Sequence, residues 1–576
     1  MDFFKQVKEK ITANVNTAIE KAQSDGALPQ AEKYEFTVEI PKDASFGDFA
    51  TNAAMLGARV FRKAPQQIAK EIVDRLPADS WFSEVSVAGA FINFKLSSEF
   101  SKSVVDGILS EGENYGKSDF GEGKRVLVEF VSANPTGPMH IGNARGGANG
   151  DCLASILNFA GYKADREFYV NDAGNQIEKF GLSLSLRYLQ LFKDGIEMPE
   201  DSYHGEDIVE HAKAFAEIYG DKYVEAEDSE RKKALVAFAL PKNVEALERD
   251  LKKYRIVYDR WFRESELYKD GQAQKVVEML TESGYTYEQE GAVWFKATEF
   301  GCEKDFVLVR SNGLYTYVVP DIAYHYNKLV TRGYDKAIDV LGADHHGYVP
   351  RLKGALTALG VDASKLDAVI IQMVRLIKDG EVTKQSKRSG KAITLVTLLE
   401  EVPIDAARFF FNMREPNSHF DFDLDLAVSQ TNQNPVYYVQ YAHARICSIL
   451  AGLKDENVPC DRECTAALGE PQEKALIKQL ALFTGEVVRA AQSYDISLMT
   501  KYAVDLSSSF HSFYNGCRVK CDDPDKMYAR IALIKAVKQT LENVLGIIKV
   551  TAPEHMGCTN ANLCSVRSNA PKRRVR

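Results

Sequence analysis

Residues 126–151, VLVEFVSANPTGPMHIGNARGGANGD, constrain the fold of this chain more than any other stretch. Residues 126–131 are β-branched and apolar, as a strand buried on both faces requires, and the Asn-Pro and Thr-Gly-Pro steps behind them force a turn. A helix is predicted to start near His140. Gly142, Gly146, Gly147 and Gly150 fall within its first three turns, and each costs roughly 1 kcal/mol relative to Ala. A helix carries about 3 to 4 kcal/mol of such cost only where a contact offsets it. The expected contact is close approach: a ligand or a neighbouring strand lies against the bare face, with the positive end of the helix dipole near His140.

A strand, a turn and a glycine-rich helix are by themselves a weak sign of nucleotide binding. PMHIGN is the specific element. It resembles the "HIGH" signature of class I aminoacyl-tRNA synthetases, and the preceding SANPTGP is similar to the version found in the arginyl-tRNA synthetases. A bare basic run such as KQSKRSGK, residues 384–391, would ordinarily be a solvated loop. Placed between MVRLIKDGEV and the helical TLVTLLEEV, it resembles the "KMSKS" loop of the same class, in the arginyl variant ending in KR. Two signatures in order, separated by a Y-x3-D and a GADHH, extend the resemblance over residues 1–556.

The resemblance implies an α/β architecture: a Rossmann-type parallel-sheet catalytic domain, an α/β N-terminal domain and an all-α anticodon-binding bundle at the C-terminus. It implies an ATP-dependent ligase that forms arginyl-adenylate and pyrophosphate, then passes arginine to the 3′-terminal ribose of tRNA(Arg). The implied substrates are arginine, tRNA(Arg) and ATP with Mg²⁺, without a tightly bound cofactor. Monomer is the family default, and tRNA is generally needed for the first step.

Composition sets bounds on this reading. At 576 residues the chain is too long for one core, and 45% hydrophobic with 27% charged residues is ordinary for a globular protein. No apolar run approaches a membrane span and MDFFKQVKEKITANV is amphipathic, so a cytoplasmic protein is expected. Nine scattered cysteines argue against a disulfide framework, and neither Cys460/Cys464 nor Cys517/Cys521 has the neighbouring ligands zinc needs, so no metal site is expected. A formal charge of -9 means that a nucleic acid must be held by local basic patches.

In chain order, residues 1–117 read as an α/β module: Phe4, Val7, Ile11, Val15 and Ile19 repeat at helical spacing, QQIAKEIVDRL is amphipathic, and YEFTVEI and AFINFKL are strand candidates. Ordinary packing accounts for these periodicities. The resemblance adds contact with the tRNA elbow. The catalytic domain is expected over 118–403, with a second strand at 167–171, a charged helical insertion at about 190–300, and the sheet resuming with FVLVR, YTYVV, AIDVLGADHHGY and AVIIQMVRL. From Ile404 the pattern reads as wholly helical, with a linker at 404–433 and a bundle at 434–556 containing KALIKQLALFTGEVVRAA, MTKYAVDLSSSFHSFYNGCRV and ARIALIKAVKQTLENVLGIIKV. Residues 557–576, polar and ending in KRRVR, are predicted to be disordered, with a basic tail that helps hold RNA as the alternative.

Site residues follow from the motifs. The resemblance places His140, Gly142 and Asn143 against ATP, with Gly342, Asp344 and His346 near the nucleotide and His345 near the α-amino group of the amino acid. Asn143 stands where the signature has its second His; it donates hydrogen bonds without positive charge, which leaves His140 most of the phosphate contact. Lys384 and Lys387 would clamp the triphosphate as charge builds on the leaving pyrophosphate, and Gln385 replaces the signature Met. Ser132 and Asn134 would hold the backbone groups of arginine, with Glu129 behind them as a supporting carboxylate. Tyr317 and Asp321 match the pair that reads the arginine side chain; without the resemblance they would be a cap or surface pair. A guanidinium is a planar fork of five donors, so a carboxylate accepting two parallel hydrogen bonds recognises it and fits lysine badly. Glu264, in VYDRWFRESELY, is a second acidic candidate, where packed aromatics with a surface carboxylate is an equal alternative. In the bundle, Tyr437, Tyr438, His443 and Arg445 are candidates to stack on splayed loop bases of the RNA.

Two rivals compete. A class I synthetase for another amino acid, or a related nucleotidyl transferase, would lack the Tyr317/Asp321 pair. A non-catalytic RNA-binding paralogue would carry damaged signatures, whereas His140, Lys384 and Lys387 all stand.

Overall fold

The computed structural model describes residues 1–343, 347–383, 393–460 and 467–556. Five parallel strands form its central sheet: β1 (Arg125–Glu129), β2 (Lys163–Val170), β3 (Arg260–Arg263), β4 (Lys336–Gly342) and β5 (Leu366–Ile371), in the order β5-β4-β1-β2-β3. β1 is central, so Val126, Leu127 and Val128 are all buried, as expected of a strand covered on both faces. Chain direction across the sheet reverses between β1 and β4, and open parallel sheets bind ligands beside the carboxyl ends of strands at such a reversal. Glu129 and Asp339 face each other in register there.

Helix α1 (Ile141–Phe159) follows β1, with His140 as its N-cap. Two of its glycines show the close approach of a neighbouring element that was expected. A Cβ on Gly150 would lie 2.2 Å from Cγ of Phe130, and one on Gly147 would lie 2.9 Å from Ile256. On Gly142 or Gly146 it would meet nothing within 4 Å among the described residues. The middle of α1 is therefore bare so that the end of β1 can press on it, and its first turn and a half is bare on a side left open.

Several sequence expectations are corrected by tertiary pairing. FVLVR does form a strand, Phe306–Val309, but it pairs with Ala292–Phe295 in a separate antiparallel sheet that also holds Thr286–Gln289. YTYVV is no strand: helix α2 (Val318–Tyr326) begins within it, because Pro320 in the first turn has a fixed helical φ and gives up only an amide that had no acceptor there. Residues 190–300 are not uniformly helical; after the helices Glu206–Tyr219 and Asp228–Lys253 the chain returns to the sheet as β3, where Trp261 stacks on Phe168 at 4.3 Å. Beyond Ile404 the chain is not wholly helical either. Phe420–Asp423 pairs in parallel with Val374–Lys378, which also forms a hairpin with Glu381–Thr383. The two-residue alternation that buries Phe420 and Phe422 was there to be read.

The N-terminal module buries Val7, Ile11, Val15 and Ile19 from the helix Phe3–Ser24, with Phe3 inside and Phe4 only half-buried. Its antiparallel sheet takes in Val38–Glu39, Phe49–Thr51, Phe91–Leu96 and Phe82–Ala88 in that order. The bundle contains Pro435–Asp455, Pro471–Ala481, Phe483–Ser493, Ser497–Gly516 and Pro524–Ile547. KALIKQLALFTGEVVRAA is thus two helices that meet at Leu482. No described helix is long and apolar enough to cross a membrane.

A buried polar junction ties these parts together. Asp151 on α1 accepts from Arg166 Nε at 2.7 Å and from Arg408 Nη2 at 2.5 Å. Arg408, fully buried, also donates to the carbonyls of Tyr254 and Ile548. A buried cation with a carboxylate and two carbonyls at its donors is paired on every side, which makes burying it tolerable.

Candidate active site

The carboxyl end of β1 is built around strained backbone. Val131 and Ser132 have φ of 67° and 41°, left-handed values unusual for non-glycine residues and most of all for a β-branched one. The Ser132 amide bonds back to the Phe130 carbonyl at 3.0 Å, closing a tight three-residue turn. That turn is locked by the side chain it displays. Ser132 Oγ donates to Glu129 Oε1 at 2.9 Å and accepts from the Tyr169 amide at 3.1 Å. Asn134 is exposed just beyond.

At the start of α1, Asn143 Oδ1 accepts from the His140 amide at 3.1 Å, so the side-chain oxygen caps the helix and the Nδ2 end remains to donate outward. His140 and Gly142 are exposed beside it. His140 also forms an antiparallel bridge with Thr394, and Leu395 donates its amide to the Met139 carbonyl at 3.0 Å. Gly342 ends β4, opposite Ile371. Asp344, His345, His346, Lys384 and Lys387 lie outside the described residues.

Two carboxylates lie close enough for their charges to interact, Glu264 just past β3 and Asp321 on α2. Glu264 follows β3 directly and is buried; burial first, then the charges of Asp321 and Asp172, raise its pKa to about 7, against a hydrogen bond donated by the Tyr268 hydroxyl at 3.4 Å. Asp321, in the first turn of α2, is raised to about 6 by burial, with Glu129 and Asp339 adding to the rise and Tyr348 opposing it. Tyr348 hydroxyl donates to Asp321 Oδ2, and its ring stacks on Tyr317 at 5.8 Å. Tyr317 itself is 67% exposed, so it overlies Tyr348 as an outer layer. Among the described residues neither Asp321 nor Glu264 pairs with Lys or Arg. Two enclosed carboxylates without a Lys or Arg partner make a site whose ionised form a cation would stabilise.

The neighbouring acids are already neutralised. Glu129, His325 and Asp339 approach within 4.8 Å, a spacing a metal ion would suit. The ammonium of Lys328 stands among them, 2.5 Å from Glu129 and 2.9 Å from Asp339. Burial alone would raise Asp339, but Lys328 and His325 outweigh it and hold its pKa far below the carboxylate range. Lys328 is fully buried in the π-helical turn Asn327–Thr331, where one extra residue per turn redirects the side chain inward. His325, itself on α2, ties this cluster to the first turn of that helix, its Nδ1 2.8 Å from the Asp321 carbonyl.

Sequence reasoning missed Tyr348, Tyr169, His325 and Lys328. Tyr348 sits in the GADHHGY motif itself; the other three carry no local signal, because their roles arise from elements far apart in the chain.

In the bundle, Tyr437 and Tyr438 are half-buried on the helix Pro435–Asp455, and the exposed Tyr441 stacks with Tyr437 and with His511. Arg445 lies 5.0 Å above the Tyr514 ring and donates to its hydroxyl. His443 is a correction. It is fully buried, with Nδ1 2.9 Å from the Pro553 carbonyl and Nε2 3.1 Å from Glu542, so it braces the bundle and presents no ring face to an RNA base.

Comparison with known proteins decides the family. Residues 104–442 match the model of "tRNA synthetases class I (R), catalytic domain", residues 9–96 that of "Arginyl tRNA synthetase N terminal domain", and residues 439–556 that of "DALR anticodon binding domain". The chain belongs to the arginyl-tRNA synthetase family. It is 54% identical over 556 residues to the arginine–tRNA ligase of Caldanaerobacter subterraneus subsp. tengcongensis, covering 96% of this chain and 99% of the relative. The Acetivibrio thermocellus arginine–tRNA ligase is 51% identical over 557 residues, with the same coverage. In fold, the chain resembles the Thermus thermophilus arginyl-tRNA synthetase with a TM-score of 0.70 at 24% identity, covering 94% of this chain and 99% of that one. As a member of this family, the chain is an ATP-dependent ligase built on the class I catalytic domain.

Proposed function

We propose that this chain joins L-arginine to tRNA(Arg) in two steps, with ATP and arginine giving arginyl-adenylate and pyrophosphate before the arginyl group passes to the 3′-terminal ribose. The convergence of Asp321 and Glu264, enclosed and without a cationic partner among the described residues, carries this reading: the pocket is complementary to one planar cation. Asp321, oriented by Tyr348 and roofed by Tyr317, accepts the guanidinium. Glu264 adds the second negative charge. Ser132 and Asn134 hold the backbone groups of arginine, with Glu129 locking the turn that presents Ser132. His140, the outward Nδ2 of Asn143 and the bare surface at Gly142 take ATP, which enters as its Mg²⁺ complex, and Gly342 closes the nucleotide side. We assign Lys384 and Lys387 to the leaving pyrophosphate, and Asp344, His345 and His346 to the amino acid and nucleotide, on the sequence motifs. Tyr437, Tyr438 and Arg445, joined by Tyr441, are assigned to the RNA face of the bundle. The enzyme acts as a cytoplasmic monomer.

Arginine-dependent ATP–pyrophosphate exchange, measured with and without tRNA(Arg), tests this directly. Exchange is expected with arginine and not with lysine; no exchange under any condition would overturn the reading in favour of a non-catalytic paralogue.

The raised carboxyl pKa values add a pH dependence whose sign is fixed. In the free protein, burial holds protons on Asp321 and Glu264 up to about pH 6 and 7. Their folded pKa values lie above the unfolded ones, so the stability they contribute is present at acid pH and is lost as pH rises through about 7. Arginine binds the ionised pair and offsets that loss. The thermal shift produced by saturating arginine is therefore expected to be larger at pH 8 than at pH 5.5. A shift that is flat across this range would remove the two carboxylates from the binding step.

A further inference from the structure

Arg145, two residues after the first signature, is fully buried on α1, and among the described residues no carboxylate pairs with it. Its two terminal nitrogens bond to backbone instead, while Nε is buried without a partner among the described residues. Nη1 donates to the Gln372 carbonyl at 2.8 Å and the Ser418 carbonyl at 3.0 Å, and Nη2 to the Glu415 carbonyl at 3.0 Å. The guanidinium also lies 5.6 Å from the Phe420 ring centre. These acceptors belong to one junction. Gln372 is the residue at which the chain leaves β5 for Val374–Lys378, Glu415 and Ser418 flank the turn that leads into Phe420–Asp423, and the Gln372 amide bonds to the Pro416 carbonyl at 3.0 Å. The small three-stranded sheet that contains these two strands is thus pinned to the third residue after Gly142.

Burying a guanidinium without an anion is costly, and fold stability alone would be served as well by an apolar side chain of similar volume. What three directional hydrogen bonds supply, and packing does not, is a fixed distance and orientation. We infer that Arg145 is a positioning residue for the activation step, setting the small sheet that begins at Val374 at a fixed place relative to the ATP-facing start of α1. This rests on the reading given under Proposed function. Arg145 touches no substrate; it acts through the elements it joins.

The test is steady-state ATP–pyrophosphate exchange on full-length Arg145→Lys and Arg145→Met, with arginine-induced thermal shift as a separate readout. Lys retains charge but cannot span three carbonyls from a single nitrogen with the same geometry. A displacement of about 1 Å at the base of a site costs roughly 100-fold, so kcat is expected to fall by that order in both variants while the KM for arginine and the arginine-induced shift stay at wild-type values. A merely structural residue would lower the melting temperature without splitting kcat from KM. Should Arg145→Met fail to fold, Phe420→Leu loosens the same clamp from the other side, and a smaller kcat loss with unchanged arginine KM is expected. Wild-type kcat in Arg145→Lys or in Phe420→Leu, or a parallel change in kcat and arginine KM, overturns the inference. Absence of exchange in the wild type, with tRNA(Arg) present as well as without it, instead overturns the functional reading on which it rests.

Discussion

Asp321→Asn is expected to lower kcat/KM for arginine in ATP–pyrophosphate exchange by about 10³ to 10⁴-fold, equivalent to ~4 to 5.5 kcal/mol. The substitution preserves shape and leaves the side-chain oxygen that Tyr348 needs, but it removes the charge and replaces one acceptor by a donor aimed at the guanidinium. A site built to pair a substrate fork discriminates most strongly when half of the pairing is lost, because a buried donor is left unsatisfied. The same variant separates binding from folding. Since burial raises the pKa of Asp321, ionising it costs the free protein stability, and Asn has nothing to ionise. Asp321→Asn is therefore expected to be at least as stable as wild type at pH 8. A near-wild-type arginine KM would remove Asp321 from the specificity role. Loss of activity together with loss of stability would mean instead that Asp321 braces α2.

The second large effect is on stability. Arg408→Met is expected to cost about 3 to 5 kcal/mol, because it leaves Asp151 with Arg166 as its one remaining cation and leaves the carbonyls of Tyr254 and Ile548 without their donor. Those four groups lie on α1, on β2, after the helix Asp228–Lys253 and at the C-cap of the last bundle helix, so the damage falls on the seam between catalytic domain and bundle. Urea unfolding followed by tryptophan fluorescence and by circular dichroism checks this. All three tryptophans lie within the first 294 residues, so the two probes report different portions of the chain. The expected outcome is a lower midpoint with the two curves separating, as a seam would produce on losing its central bond. Replacing Asp151 by Asn in the Met variant removes the carboxylate that Arg408 had paired, and partial recovery of the midpoint is the check that charge, not volume, set the loss.

How far the sequence reaches can be judged residue by residue. β1 and α1 were legible because their signals are local: a β-branched run, two turn-forming prolines, and glycines too frequent for a free helix. The same local reasoning failed at Phe306–Val309 and Phe420–Asp423. An apolar run of four residues states that a strand forms and says nothing of its neighbours, and pairing decides which sheet it joins. YTYVV misled for a related reason, since β-branched composition was outvoted by the proline that directly follows it, Pro320. His443 was misplaced because helical spacing gives a face only once the partners of the other faces are known.

For the site, the letters determined a bare helix start at His140 and Asn143, while carboxylates at 264 and 321 were singled out only through the family resemblance. The helix start was legible because backbone preference is a property of a residue and its near neighbours. Tertiary structure alone decided which carboxylates keep their charge available. Lys328 neutralises Glu129 and Asp339 from a π-helical turn, Tyr348 orients Asp321 from across the pocket, and Arg145 reaches carbonyls more than 220 positions away. Hydrogen bonds and charges act over a few ångströms in space without regard to separation along the chain, so only the folded arrangement fixes which of them meet.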